Sequence, residues 1–171
     1  FFMPTIRHQE HGSKKRYAGL VGDKVVFKGL ENVRSDWSVL ARRVQAELFE
    51  RVFFDLDWKA WLISLTRDMY TGLFDDELTY RKRLRKPLDA YDKQIPPHVK
   101  AAKMLPRKPK RGDWIEYRIT LSGPEPIGMS TRQMDYDHYL EKQIAPAVDS
   151  LLAVFGESLE ALVSQQIGLD L

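Results

Sequence analysis

The sequence predicts an α+β fold that is mostly α-helical, with a small β-hairpin near its beginning and one or two short strands further on. Three observations predict it: two apolar-rich runs joined by Gly22-Asp23, one-sided apolar stripes at helical spacing, and a period-two alternation after residue 113. Of the 171 residues, 43% are hydrophobic and 30% are charged, which suits one core-forming domain with or without an appendage. Because the chain has no cysteine, disulfide-bonded scaffolds are excluded.

The hairpin is predicted from the runs 17–21 and 24–28, which a two-residue connection separates. Two amphipathic helices follow it. The first begins near Trp37 with Ser35 or Asp36 as its N-cap, and its apolar residues recur every three or four positions. The second begins after Asp57, its N-cap, and Gly72 can end it. We expect both apolar stripes to form core.

The middle of the chain is predicted to hold short elements. Residues 78–84 form a strand or extended link, and five prolines between 87 and 109 leave room only for a short helix at 99–105. Residues 114–121 alternate between apolar and polar side chains, which is typical of a strand. The glycine and prolines of 123–126 are expected to stop that strand.

The last part of the chain is predicted to be helical. An apolar stripe begins near Asp137 and continues past Pro146, where we expect a bend. Gly156 breaks this helix, and residues 158–166 form a final one.

Positive charge is concentrated in residues 81–111, which hold 12 basic and 2 acidic residues, although the net charge of the chain is only +3. Cations at this density cannot neutralise one another, and a polyanion that bound them would release counterions. The segment therefore indicates a nucleic-acid partner. A solvated surface loop is the alternative interpretation.

The sequence offers no convincing metal site. Asp55 and Asp57 imitate a metal-binding pair, but an N-cap role explains Asp57 better. The acidic residues 75–77 fit a solvated turn or helix start, and the four histidines form no ligand set. No apolar run approaches the roughly 18 residues that a membrane span needs, and the chain begins without a signal-peptide pattern. We therefore expect a soluble protein of the cytoplasm, and the missing initiator Met suggests a piece of a longer chain.

Several motifs, in order along the chain, resemble family B DNA polymerases. The segment Lys14-Lys15-Arg16-Tyr17-Ala18-Gly19, the hairpin and the segment 28–37 are similar to the end of the palm of that family. The segments similar to the thumb are Tyr80-Arg81-Lys82-Arg83-Leu84, Pro97-His98-Val99-Lys100-Ala101-Ala102, Gly112-Asp113-Trp114-Ile115-Glu116-Tyr117, Asp135-Tyr136-Asp137-His138-Tyr139 and Gln143-Ile144-Ala145-Pro146. The sequences of these segments are most similar to those of bacterial members of the family. The resemblance implies that residues 1–34 are the last part of the palm and residues 35–171 the thumb.

The resemblance further implies part of a DNA-directed DNA polymerase, a nucleotidyltransferase of DNA replication and repair synthesis, that binds double-stranded primer-template DNA without sequence preference. In the family, the two lysines and the tyrosine of the Lys-Lys-x-Tyr motif contact the duplex, and on a regular strand Lys15 and Tyr17 would share a face. Phosphate contacts by the basic segment would add affinity and register. The predicted DNA-binding residues are Lys14, Lys15, Arg16, Tyr17, Arg81, Lys82, Arg83, Arg85, Lys86, Lys100, Lys103, Arg107 and Lys108.

The family's chemistry uses two metal ions, expected to be Mg²⁺, held by palm carboxylates in an Asp-Thr-Asp motif upstream of this region. That motif is absent here. We therefore expect no catalytic residue, metal or cofactor in this chain and no polymerisation by it alone. Two other classes of protein stay open: a free-standing, non-enzymatic nucleic-acid-binding module, and an adaptor that binds protein through its helices and tail.

The end of the chain, residues 166–171, resembles the hexapeptide that binds the bacterial sliding clamp. An amide at Gln166 suits a polar pocket, and Ile167, Leu169 and Leu171 offer apolar anchors to a groove. The alternative is that this tail folds back as the end of a terminal helix. A clamp partner follows from the first interpretation. The resemblance to bacterial polymerases implies a nucleoid-associated location in the bacterial cytoplasm.

Overall fold

The computed structural model describes residues 2–8, 11–28, 37–129 and 132–169, and it confirms an α+β fold. The strands are β1 (Phe2–His8), β2 (His11–Val21), β3 (Lys24–Lys28), β4 (Tyr80–Arg83), β5 (Trp114–Thr120) and β6 (Gly123–Pro126). The α-helices are α1 (Val39–Phe53), α2 (Trp58–Tyr70), α3 (Pro97–Lys103), α4 (Tyr136–Tyr139), α5 (Ala145–Leu152) and α6 (Leu159–Leu169). Short 3₁₀ turns lie at Asp75–Leu78, Leu88–Ala90 and Ala153–Phe155. In the described residues no helix is long and apolar enough to cross a membrane.

The first sheet is antiparallel, in the order β1-β2-β3. Val21 pairs with Lys24, so the predicted hairpin turns at Gly22-Asp23, and Gly22 has a φ of +60° that favours glycine. Strand β1 is missing from the sequence prediction, which gave a hairpin alone. Its Pro4 is tolerated because β1 is an edge strand. The predicted boundary near residue 34 lies outside the described residues.

Side-chain caps start the first two helices. The Ser38 hydroxyl accepts a hydrogen bond from the Ala41 backbone N–H at 3.2 Å, so α1 begins slightly later than predicted. The predicted N-cap residues Ser35 and Asp36 lie outside the described residues. At α2, the Asp57 carboxylate accepts from Ala60 N–H at 3.1 Å, which confirms the predicted N-cap.

The helical core is formed by α1, α2, α4, α5 and α6. Leu40, Val44 and Leu48 of α1 are fully buried in it, as are Leu62 and Met69 of α2. The apolar stripes of the sequence are therefore core, as predicted. The stripe after α4 passes through a π-helical turn at Leu140–Ile144 instead of a simple bend.

A second, smaller core lies in what we call the small unit, residues 80–129. Its antiparallel sheet has the order β4-β5-β6, and α3 packs on one face of it. The buried residues of this core are Leu84, Val99, Ala101, Ala102, Ile115 and Tyr117. The unit holds three strands, so the prediction of one or two was too low, and β6 forms where 123–126 was expected to end the strand. Helix α3 begins two residues earlier than predicted.

Three aromatic rings join the two cores. Tyr80 lies between Tyr117 of the small unit and Tyr139 of α4, with ring centroids 5.3 Å and 5.4 Å apart and nearly parallel planes. We call Tyr117, Tyr80 and Tyr139 the tyrosine stack. The Tyr80 hydroxyl also forms a 3.0 Å hydrogen bond with His138 Nε2. Tyr80 packs against both cores, so the stack fixes the small unit to the helices.

Candidate nucleic-acid interface

Strand β4 divides its basic residues between two faces of the small sheet. Arg81 and Arg83 lie opposite Glu116 and Trp114 of β5, whereas Lys82 lies opposite the buried Ile115. Side chains alternate along a strand, so Arg81 and Arg83 belong to the outer face and Lys82 to the side that faces α3. The sequence cluster is therefore split by the fold.

The loop that returns from α3 to β5 is anchored to the end of β4. The Gly112 N–H donates to the Leu84 carbonyl at 2.8 Å, and the Arg83 guanidinium donates to the Gly112 carbonyl at 2.8 Å. The Asp113 carboxylate accepts from the Lys110 N–H at 2.8 Å. Gly112 has a φ of +95°, a conformation that other residues rarely adopt. The Gly112-Asp113 pair thus holds the basic loop beside the sheet.

This loop, the end of β4 and the end of α3 surround three adjoining open depressions. Their lining includes seven cationic side chains: Arg83, Arg85, Lys103, Arg107, Lys108, Lys110 and Arg111. We call these seven residues the basic face. Five of them belong to the predicted DNA-binding set, so the structure brings these five together.

Three other predicted residues, Arg81, Lys86 and Lys100, do not line the three depressions. Lys100 is exposed on α3, and the Lys86 ammonium lies 5.7 Å from the centre of the Tyr91 ring. Arg81 stacks its guanidinium on Trp114 at 4.4 Å and lies 3.7 Å from Glu116. The predicted set is therefore larger than the group of residues that line the depressions.

The side chains of the basic face form no ion pairs with the described carboxylates, although Asp89 and Asp113 also line the depressions. Across the part of the chain that the structure describes, none of its seven side chains has a carboxylate within ion-pair distance. A polyanion approaching the small unit would meet unpaired cations.

The Lys14-Lys15-Arg16-Tyr17 motif lies in β2, which begins six residues before the predicted strand 17–21. Tyr17 pairs with Pro4 of β1, but the next pair of β1 and β2 joins Thr5 and Ser13. Residues 14–16 thus fall within a register irregularity of the ladder. Because a bulge interrupts strict alternation, the common face predicted for Lys15 and Tyr17 stays a prediction.

The acidic segment 75–77 is a 3₁₀ helix, in agreement with the predicted helix start, and its members bind structural partners. Glu77 accepts a two-pronged hydrogen bond from Arg43 of α1 at 2.8 and 3.0 Å. Asp76 accepts from Arg118 of β5 at 2.8 Å, and Asp75 from the Tyr136 hydroxyl at 2.8 Å. These bonds account for the acidic residues without a metal ion. The described residues contain no group of three or more side chains suited to hold one.

The motif at residues 135–139 holds the small unit in place. The Asp135 carboxylate accepts from the His138 N–H at 3.1 Å and so caps α4. The hydroxyl of the buried Tyr139 accepts from the Ile119 N–H of β5 at 2.9 Å. Burial raises the pKa of Tyr139, and burial with the Asp75 hydrogen bond raises that of Tyr136 to about 12. Both phenols therefore stay neutral and hydrogen-bonded at neutral pH.

Two histidines lie near this region and are partly or fully removed from water. Burial lowers the pKa of His98 below its usual 6.5, and the neighbouring Lys82 lowers it further. The pKa of His138 is also lowered, mainly by burial, although Asp135 opposes the shift. His98 Nδ1 is buried with no hydrogen-bond partner, so a proton there would gain nothing. Both side chains are neutral in the folded protein at pH 7.

We expect the free energy of unfolding to decrease as the pH falls from about 7.5 to about 5.5. Unfolded histidines take up protons near pH 6.5, whereas the folded ones resist until lower pH, so stability present above 6.5 is lost below it. Each histidine contributes at most about 1.4 kcal/mol per pH unit. Chemical denaturation at several pH values measures this slope. The variant His98→Gln should flatten it, and an unchanged slope would contradict the role of His98.

The sequence prediction missed three residues of this region. Lys110 and Arg111 were counted in the basic segment but not among the predicted contacts, although their position between Pro109 and Gly112 indicated an exposed loop. Trp114 lies on the outer face of β5 with 53% of its surface exposed. The sequence did carry a signal for this exposure, because Trp114 falls among the polar positions of the period-two alternation.

The predicted clamp-binding tail continues helix α6. The helical backbone extends to Leu169, and Gln166 lines a shallow depression beside α2 together with Ile63 and Arg67. The side chains of Ile167 and Leu169 and the whole of Leu171 lie outside the described part. The backbone thus agrees with the helical alternative, and the tail's partner stays a prediction.

Comparison with known proteins places the chain in a family. The family model of DNA polymerase family B matches residues 12–155. DNA polymerase II of Escherichia coli (strain K12) is 41% identical over 182 residues, which cover 99% of this chain and 23% of that protein. A DNA polymerase of Pyrococcus horikoshii is 32% identical over 92% of this chain and 14% of that protein.

A solved structure has a similar fold. The family B DNA polymerase of the archaeon Pyrobaculum calidifontis superposes with a TM-score of 0.59 at 30% identity, over 78% of this chain and 19% of that one. The chain thus spans less than a quarter of the length of each of these relatives. The motifs of the sequence and the match over residues 12–155 agree: this chain belongs to DNA polymerase family B.

Proposed function

We propose that this chain is the end of the palm, residues 1–34, and the thumb, residues 35–171, of a DNA-directed DNA polymerase. In that role it binds primer-template duplex through phosphates, without sequence preference. The observation that carries the proposal is the basic face: seven unpaired cations held by one small folded unit in a chain of family B. The tyrosine stack supports it, because a phosphate-binding surface has to be fixed in orientation to set the register of the duplex.

The salt dependence of duplex binding tests this proposal. If about five phosphates are neutralised, a plot of log K against log salt should have a slope of about −4 to −5. The measurement is fluorescence anisotropy of a labelled hairpin duplex titrated with the chain at several salt concentrations. Two hairpins of unrelated sequence should give the same affinity. A slope near zero would defeat the proposal.

The catalytic step itself is proposed to depend on palm carboxylates outside this chain, which would hold Mg²⁺ in the complete polymerase. The described acidic residues support this, since Asp57 caps a helix and Asp75, Asp76 and Glu77 bind structural partners. We expect the 171-residue chain to extend no primer in the presence of Mg²⁺ and nucleoside triphosphates. Primer extension followed on a gel would contradict this.

We also propose that the tail binds the sliding clamp through Gln166, Ile167, Leu169 and Leu171. Support comes from the sequence pattern and from the position of α6, which ends the described chain at the surface beside α2. Removal of residues 166–171 should abolish binding of the bacterial clamp in a calorimetric titration. Gln166→Ala should weaken it in the full chain, and equal affinities in all three proteins would refute the assignment.

A further inference from the structure

Trp114 is the one large aromatic side chain that the described small unit presents beside the basic face while more than half exposed. It takes no part in the small core, because alternation along β5 directs Ile115 and Tyr117 inward and Trp114 outward. An indole exposed to this extent costs hydrophobic free energy that burial would recover. A ligand that covered Trp114 would therefore gain binding free energy from burial of the indole.

The surroundings of Trp114 define the chemistry of that ligand. One guanidinium, that of Arg81, already stacks on the indole at 4.4 Å, and the Arg83 guanidinium is fixed by its bond to the Gly112 carbonyl at 2.8 Å. Arg85 and Arg111 line the same open depression, which has a volume of about 650 Å³. An aromatic surface flanked by guanidinium groups fits a flat base on the indole and phosphates on the arginines.

The interior of a double helix offers no base face to this indole. In a duplex the bases are stacked on one another and offer only their edges and the sugar-phosphate backbone. Away from the ends of a duplex, a base exposes its flat face only when it is unpaired, and stacking on an aromatic side chain is then worth about 1 to 3 kcal/mol. The depression therefore favours single strands, in contrast to the phosphate contacts of the remaining basic face.

We propose that Trp114, with Arg81, Arg83, Arg85 and Arg111, forms a stacking site for an unpaired nucleotide of a single strand. The site lies on the outer face of the small sheet, and its occupant is a base with its flanking phosphates. Duplex binding by the rest of the basic face does not depend on it. A strand frayed from the duplex would be retained there beside the duplex-binding surface.

The test measures binding, by anisotropy, of a labelled dT12 oligonucleotide and of a long linear duplex of two annealed strands, which has no unpaired base. Trp114→Leu removes the stacking surface, and Trp114→Phe is the matched control that keeps an aromatic ring. We expect Trp114→Leu to weaken dT12 binding by about tenfold, Trp114→Phe to retain most of the affinity, and duplex affinity to change less than about twofold. Equal losses for dT12 and duplex, or none for dT12, would overturn the proposal.

An abasic oligonucleotide of the same length separates stacking from charge. The abasic strand should bind the unmodified chain about as weakly as dT12 binds Trp114→Leu. Removing the bases and replacing Trp114 together should weaken binding no more than either change alone. If the abasic strand binds as tightly as dT12, stacking is refuted. Competition experiments distinguish a free nucleotide from a strand as the ligand. We expect unlabelled dT12, but not thymidine monophosphate, to displace labelled dT12, and displacement by the monophosphate would contradict a strand as the ligand. If duplex binding fails its salt test while dT12 still depends on Trp114, the proposed thumb function falls and this site stands.

Discussion

Replacing Tyr80 by alanine is expected to lower the free energy of unfolding by about 3 kcal/mol. The ring of Tyr80 has aromatic neighbours on both sides, at 5.3 Å and 5.4 Å, and it packs against both cores. Its loss would leave a gap in the tyrosine stack and remove the hydrogen bond to His138. Chemical denaturation monitored by circular dichroism measures the change.

Tyr80→Phe is the matched control for this prediction. It keeps all three rings and removes only the hydroxyl that bonds His138 at 3.0 Å, so we expect a loss of about 1 kcal/mol. Amide hydrogen exchange adds a local readout: in Tyr80→Ala, amides of β4 and β5 should exchange faster than those of α1 and α2. If alanine and phenylalanine variants are equally stable, the stack does not join the cores.

Neutralising three residues of the basic face should weaken duplex binding by about 100-fold at 100 mM salt. The variant replaces Lys103, Arg107 and Lys108 with glutamine. All three line the adjoining depressions and have no carboxylate partner among the described residues. Each lost phosphate contact also removes about 0.9 from the magnitude of the salt slope, so the slope should become less steep by nearly 3. Anisotropy at several salt concentrations measures both quantities.

The control removes the same charge from the helical side of the molecule. Arg42, Lys59 and Lys142 become glutamine; Lys59 pairs with Glu157 and Lys142 with Glu141 at the surface, where such pairs contribute little to stability. A general attraction between net charge and DNA would weaken binding equally in both triple variants. We expect the control to change affinity by less than about fivefold. Equal losses would show that the basic face has no special role.

Local signals were enough to predict the elements that depend on one helix or one turn. Asp57 followed by an apolar stripe gave α2 and its cap, and Gly22-Asp23 gave the turn of the hairpin. The edge strands β1 and β6 were missed because Pro4, Pro124 and Pro126 argue against strands. A proline lacks the N–H that a central strand needs, but an edge strand can leave that side unpaired.

The arrangement of the candidate site could be predicted only in part. Charge density indicated a polyanion partner, but the sequence could not show that Lys82 lies on the α3 side of the sheet while Arg83 lies on the outer face, since this depends on the register with β5. The π-helical turn before Pro146 was likewise missed. A proline at that position removes the N–H that residue 142 would accept in an α-helix, and the preceding turn widens.

The pairing of Arg83 with Trp114 has a consequence for how the small unit can vary. The chain leaves the sheet at one of these residues and returns at the other, so everything between them starts and finishes at a single point. The stretch is therefore a closed loop whose two ends are held together by the sheet. The entropic cost of closing such a loop rises only slowly with its length. The exposed loop between α3 and Gly112 can therefore change in length or charge while the helical core stays unaltered. Leu84, Val99, Ala101 and Ala102 of the same stretch cannot vary as freely, because they are buried in the small core.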